Sequence, residues 1–258
     1  MNKTTMRTLQ ILNFISENGY PATLKQISEG LQIPLSSTYD IVNTMLEMKY
    51  LQYADKVART YFIGLKAFRS GAAYIRDIDF VKVAKPYLKE MSKKTKATAF
   101  LGVKSDENVV YLDKVEENVG VRTTALLGVG KGMYYTGLGK AILATMPTEE
   151  VEKLYRGKKL VAKTSNTICD LEKLKEELFL VRQLGYAVDN EEGERAIFCI
   201  AAPVRNYESN VVAAISIANL KEVVEHKGVE KYINVVVDSA MKISRELGYT
   251  GNSLFYNK

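Results

Sequence analysis

The side chains best suited to chemistry cluster first between residues 22 and 48, in the run Ala-Thr-Leu-Lys-Gln-Ile-Ser-Glu-Gly-Leu-Gln-Ile-Pro-Leu-Ser-Ser-Thr-Tyr-Asp-Ile-Val-Asn-Thr-Met-Leu-Glu-Met. Ser36, Asp40, Asn43 and Glu47 step by four, three and four residues, so a helix gathers them on one face. Such a face suits base edges in a DNA groove: an Asn43 amide pairs with adenine, and an Asp40 carboxylate accepts from cytosine N4. Ser36, Ser37 and Thr38 fall in the first turn, where hydroxyls and free N–H groups suit phosphate or base edges, and Thr44 lies beside Asn43. A purely structural surface helix more often carries Glu–Lys pairs. The cations of the region, Lys3, Arg7, Lys25, Lys49, Lys56 and Arg59, lie off this helix, as phosphate clamps around a base-reading element would.

A second cluster is Thr136-Gly137-Leu138-Gly139-Lys140-Ala141. It fails as a nucleotide-binding P-loop, because Tyr134 stands where the first glycine belongs and Ala141 where Ser or Thr is needed. As a helix start capped by Thr136 it offers backbone N–H groups to a small carboxylate, or else provides only a tight glycine turn. The third is Cys199, one of 2 cysteines, with His226 the single histidine. Too few Cys and His residues are present for a disulfide framework or the usual zinc site, and no cofactor is implied.

The elements that must position these groups can be read from periodicity. Leu9, Leu12, Phe14 and Ile15 predict a helix over residues 5–17 that stops at Gly19. Thr23 predicts the cap of a helix over 24–29, closed by Gly30 in a left-handed conformation, with Leu31 and Ile33 plugging the turn. The following helix begins near Pro34–Ser36, runs to Met48, and turns Tyr39, Val42, Met45 and Leu46 inward. Strand-like runs at 50–53 and 60–63 flank a polar hairpin, a wing with Lys56 and Arg59 at its tip.

A helix with Leu65, Phe68, Ala72 and Ile75 follows, with a bend near Arg76–Asp79. The next is expected to begin near Lys85, since Pro86 suits only a first turn. Strands are predicted at 98–103, 108–114, 119–123, 187–189, 196–205 and 211–218, and helices at 137–145, 148–155 and 170–184. A last helix carries Val229, Tyr232, Ile233, Val236, Ala240, Ile243 and Leu247 across an antiparallel sheet.

The chain has 258 residues, 47% of them hydrophobic and 26% charged, with a net charge of +6. These values fit a folded two-domain protein, and the positive charge permits contact with an acidic polymer. With no signal-peptide run and no stretch of membrane-spanning length, the expected location is the cytoplasm.

Six segments in order resemble the IclR family of bacterial transcriptional regulators across nearly the whole chain. They are Ile33-Pro34-Leu35-Ser36-Ser37-Thr38, Tyr61-Phe62-Ile63-Gly64, the Thr136–Ala141 run, Thr164-x-x-Thr167-Ile168 with Arg182-x-x-Gly185-Tyr186-Ala187, and Cys199-Ile200-Ala201-Ala202-Pro203-Val204. The resemblance implies an α+β protein: a winged helix-turn-helix over residues 1–66, a linker helix over 67–82, a GAF-like α/β effector-binding domain with an antiparallel sheet over 83–250, and a tail over 251–258. It implies as partners double-stranded operator DNA and a small-molecule effector, a small or aromatic carboxylate or a sugar acid, and assembly as a homodimer or homotetramer. Carried over by motif, Gly137, Leu138, Asp189, Cys199 and Ser216 line the effector pocket, with Ala218 where a second serine is usual. Met133, Tyr134 and Tyr135 add aromatic and apolar contacts that point to a larger or more apolar effector. Tyr134 stands where His is frequent, Asp40 where many relatives carry Arg, and Ala196 where Gly is common.

Two other classes of function compete. A hydrolase would use Cys199 as nucleophile and would require His226 beside it as base. A purely structural dimerisation module would have a second domain without a cavity.

Overall fold

The computed structural model describes residues 2–18, 21–76, 79–117 and 125–255. The chain divides into two compact units, Met1–Ile78 and Asp79–Lys258.

In the first unit three helices, α1 (Lys3–Asn18), α2 (Leu24–Leu31) and α3 (Leu35–Glu47), pack beside a small sheet. Its strands β1 (Ala22–Thr23), β2 (Leu51–Asp55) and β3 (Thr60–Ile63) lie in the order β1-β3-β2, all antiparallel. Ile11, Ile15, Ile27, Val42, Met45, Leu51 and Tyr61 form the core. Helix α1 turns Ile11 and Ile15 inward and leaves Leu9 exposed. The expected stop at Gly19 lies outside the described residues.

Thr23 caps α2 through a reciprocal pair. Its Oγ1 accepts from the Gln26 N–H at 3.3 Å, and its own N–H donates to Gln26 Oε1 at 2.8 Å. The left-handed residue closing α2 is Gln32, at φ 53°, and not Gly30, which sits inside the helix. Gly30 is needed for contact: a Cβ there would lie 2.5 Å from the Phe14 ring. In α3 the inward residues are Thr38, Ile41, Val42 and Met45, while Tyr39, expected inside, is half exposed.

Helix α4 (Leu65–Arg76) closes the first unit, and α5 (Asp79–Thr95) opens the second. Helix α5 starts six residues before the expected point and carries Pro86 in its interior. A mid-helix proline costs about 3 kcal/mol. Burial of Ala84, Leu88 and Met91 on the same helix offsets it.

The second unit is built on a six-stranded antiparallel sheet in the order β6-β5-β4-β9-β8-β7. The strands are β4 (Thr98–Ser105), β5 (Asn108–Val115), β6 (Gly130–Gly132), β7 (Ala187–Asn190), β8 (Ile197–Arg205) and β9 (Val211–Leu220). The predicted strand at 119–123 lies outside the described residues. Helix α5 packs with the long C-terminal helix α10 (Val229–Glu246) against β4, β8 and β9. A short helix, α6 (Gly137–Leu143), lies on β7, β8 and β9, and is backed by α8 (Leu171–Leu184). Helices α7 (Thr148–Tyr155) and α9 (Lys221–Lys227) complete the unit. Leu254 and Phe255, near the end of the described chain, are buried, and the Leu254 carbonyl accepts from Arg205 Nε at 2.7 Å.

Candidate functional site: a nucleic-acid interface and a ligand cavity

The exposed face of α3 carries Ser36 and Asp40, with Asn43 and Ser37 half-buried beside them and Thr44 exposed. The helix itself bears no Lys or Arg. Arg7 reaches it from α1, its guanidinium 3.4 Å from Ser37 Oγ, and so joins the candidate interface.

Thr38 does not belong to this face. It is fully buried, and its hydroxyl donates back to the Pro34 carbonyl at 3.1 Å. Its position one turn before Val42 on the core stripe explains the burial. Asp40 and Thr44 lie where α3 turns toward α1, bordering an apolar groove of about 410 Å³ shared with Leu9, Leu12, Met45 and Met48. Lys25 stands on α2 in an exposed i,i+4 pair with Glu29 at 3.8 Å.

The wing is a β2–β3 hairpin. Asp55 Oδ1 accepts from the Val57 and Ala58 N–H groups at 2.7 and 3.0 Å, which folds the tip, and Arg59 turns back at φ 48°. Lys56 and Arg59 are exposed there. Tyr53 and Tyr61, ring centroids 5.4 Å apart, stiffen the base of the hairpin.

In the second unit, register brings together residues far apart in sequence. Asp189 pairs with Cys199, Cys199 with Ala218, and Ser216 with Phe100. These residues share one face of the sheet, as the period-2 alternation requires. With Gly137 and Leu138 from α6 they line a cavity of about 40 Å³, together with Tyr111, Ala125, Lys131, Glu194 and Ile197. Gly137, Leu138, Asp189, Cys199, Ser216 and Ala218 thus meet at one place. Sequence reading missed Phe100, Tyr111 and Lys131, which arrive on neighbouring strands by pairing alone; no local pattern marks them.

Met133 and Tyr134 are not part of the cavity lining. They form a single 3-10 turn with Tyr135, and both are buried. The Tyr134 hydroxyl donates to the Val161 carbonyl at 2.7 Å and accepts the Val161 N–H at 3.0 Å, with its ring edge-on to Tyr155. Their packing is structural, so the expected bias toward a larger, apolar ligand loses its basis.

Gly139 has a steric purpose: a Cβ there would sit 2.2 Å from Met133 Cα. Thr136 Oγ1 accepts the Gly139 N–H at 3.2 Å and donates to the Gly132 carbonyl at 3.1 Å. Ala196 adopts φ 62°, in the left-handed region where glycine is favoured. Lys140 is buried, donating to Glu177 at 2.8 Å and Glu192 at 2.5 Å. Burial alone would lower its pKa, but the two carboxylates hold it above the usual lysine value.

Asp189 Oδ1 accepts the N–H groups of Glu192 and Gly193 at 2.7 and 3.3 Å. Burial raises the Asp189 pKa, partly offset by these amides and by Lys140 and Lys131. The Cys199 thiol is pushed well up by burial and by Asp189, the reverse of an activated nucleophile. His226 sits exposed on α9. Among the described residues no cluster of His, Cys, Asp and Glu could hold a metal, and no helix is long and apolar enough to cross a membrane.

A helix-turn-helix with a cation-tipped wing, joined in one chain to a sheet domain that holds a small cavity, is the layout of a DNA-binding regulator with a separate effector-type domain. Residues 4–55 match the IclR helix-turn-helix domain, and residues 72–245 match the family described as Bacterial transcriptional regulator IclR C-terminal. The chain belongs to the IclR family of bacterial transcriptional regulators. It is 30% identical over 242 residues to the HTH-type transcriptional repressor AllR of Escherichia coli (strain K12), covering 94% of this chain and 89% of that protein. It is 28% identical over 243 residues to the regulator XynR of the same organism, covering 94% and 96%. Among solved structures, Thermotoga maritima IclR superimposes with a TM-score of 0.75 at 32% identity, covering 95% of this chain and 99% of that one. An IclR regulator from Alicyclobacillus acidocaldarius gives a TM-score of 0.83 at 26% identity, covering 95% and 98%. This protein is accordingly a transcription regulator and not an enzyme.

Proposed function

We propose that the protein controls transcription in the cytoplasm by holding operator DNA as a homodimer or homotetramer, and that a small carboxylate in the sheet-domain cavity changes its grip. The observation that carries this reading is the exposed, charge-poor face of α3 flanked by Arg7, Lys25, Lys56 and Arg59. Ser36, Asn43 and Asp40 supply base-edge contacts, and the cations supply phosphate contacts. Pairing of two copies requires an operator with two half-sites, repeated at a whole number of helical turns. For the ligand to act as a switch it must bind one arrangement of the paired readers better than the other.

Selection of bound duplexes from a randomised DNA pool, followed by titration of the enriched sequence, tests the reading. The expected result is a two-part site whose affinity falls steeply with salt. Replacing Lys56 and Arg59 together by alanine should flatten the log–log salt slope by about 2 per bound subunit, so by about 4 for a dimer, at roughly 0.9 per lost phosphate contact. Recovery of no enriched sequence, or binding that ignores salt, would rule the proposal out.

A further inference from the structure

The cavity contains one group that its ring of small residues does not explain. Lys131 lies on the edge strand β6, paired with Val109 of β5, and lines the cavity with Tyr111, Asp189 and Cys199. Among the described residues it makes no ion pair within 4.0 Å, whereas Lys140, nearby in sequence, is held by two carboxylates. Its charge nevertheless reaches Asp189 and Cys199 on the opposite wall. An ammonium at the edge of a small, largely apolar cavity lined by Phe100, Tyr111 and Leu138, without an ion-pair partner, is complemented by a ligand that brings a carboxylate.

The opposite wall offers a different kind of group. Asp189 commits Oδ1 to two backbone N–H groups and its carboxylate also meets the Cys199 thiol, which leaves lone-pair capacity on Oδ2 for a ligand. Gly193 leaves this oxygen open, because a Cβ there would stand 3.3 Å from Oδ2. The space between is small: about 40 Å³ is room for roughly three water molecules. Glu194 also lines the cavity, but it is exposed at the mouth, where solvent screens it.

We propose that Lys131 sets the charge selectivity of this cavity, receiving the carboxylate of a two- or three-carbon hydroxy acid whose hydroxyl donates to Asp189 Oδ2. The inference rests on the reading of the cavity as the effector site. It names two contacts that backbone amides of α6 do not supply: a point charge on one wall and a hydrogen-bond acceptor on the other. A simple carboxylate satisfies only the first contact and a neutral diol only the second. Hydroxy acids satisfy both. A ligand with an aromatic ring requires the walls to part.

Calorimetric titration of the full chain with glycolate, D-glycerate, acetate and ethylene glycol tests the assignment. The expected order is glycolate and glycerate tightest, acetate at least tenfold weaker, and ethylene glycol without measurable heat. Lys131→Met should raise the glycolate Kd at least tenfold, and Lys131→Arg should restore it to within about threefold. Asp189→Asn should weaken glycolate but leave acetate unchanged. Circular dichroism and operator binding of each variant verify that the fold is intact. Unaltered glycolate affinity in Lys131→Met would overturn the role of Lys131 while leaving the cavity as the ligand site. Absence of binding by every compound to the unmodified chain would overturn the hydroxy-acid assignment. Ethylene glycol binding as tightly as glycolate, and equally well to the Lys131→Met chain, would overturn charge selection and preserve the effector-site reading.

Discussion

The reader unit and the sheet unit treat charge in opposite ways. Lys25, Lys56 and Arg59 stand in solvent, with at most a loose i,i+4 partner. In the sheet unit Lys140 is 1% exposed between Glu177 and Glu192, and Asp189 is enclosed with two amides on one oxygen. Exposed pairs contribute little to stability and remain available to a polyanion. Enclosed pairs cannot exchange partners cheaply, so they fix the positions of α6, α8 and the 189–193 loop around the cavity. One unit keeps its charges ready for a partner; the other uses them to shape a site.

That contrast can be broken most forcefully at Gly139. Gly139→Ala drives a methyl into the Met133 backbone, 2.2–2.6 Å away, with no flexible side chain to yield. The sheet unit should lose about 4 kcal/mol or more, read as an early unfolding transition by calorimetry. Lys140→Met is next. It leaves two carboxylates without their cation and should cost about 3 kcal/mol in denaturant unfolding, since Glu177 is partly solvated. Adding Glu192→Gln to that variant should recover part of the loss, as a coupled pair requires.

The reader unit should respond less. Thr23→Ala removes one half of the α2 capping pair and should cost about 1 kcal/mol in the first unit alone. The smallest effect concerns pH. Because burial raises the Asp189 pKa, the unfolded chain ionises first as pH climbs past 3.8, and the folded unit binds the extra proton. Stability should therefore fall as pH rises from that value through the folded-state pKa, then level off. In Asp189→Asn the dip should shrink; an identical pH profile would show that Asp189 does not carry it.

Legibility differed between the two units for the same physical reason. The Thr23–Gln26 cap, the α3 boundaries and the wing lie within a few residues of their signals, and local hydrogen bonds decide them. Gly30 was misleading because a glycine that closes a helix and a glycine that admits Phe14 read alike in sequence. Thr38 illustrates the limit of residue type: a hydroxyl in the first turn reads as a ligand contact, yet it can satisfy itself on Pro34 and turn its methyl inward. Pro86 read as a helix start, because the burial that tolerates it mid-helix involves strands that come later in the chain. The family resemblance puts Met133 and Tyr134 at the effector loop, and one 3-10 turn aims them away from the cavity lining.

By itself the sequence determined what repeats or caps locally: three helices and a hairpin in order, most helices of the second unit, five of its six strands, and the class of protein they make. The tertiary structure alone decided which of Ser36, Thr38, Asp40 and Asn43 meet solvent, and which residues share a cavity. Phe100, Tyr111, Lys131, Asp189 and Ser216 come from five strands, and only the pairing register sets them facing one another. A shift of one residue in any strand would carry its side chain to the opposite face of the sheet. Long-range hydrogen bonding, and not local composition, therefore fixes the chemistry of the cavity.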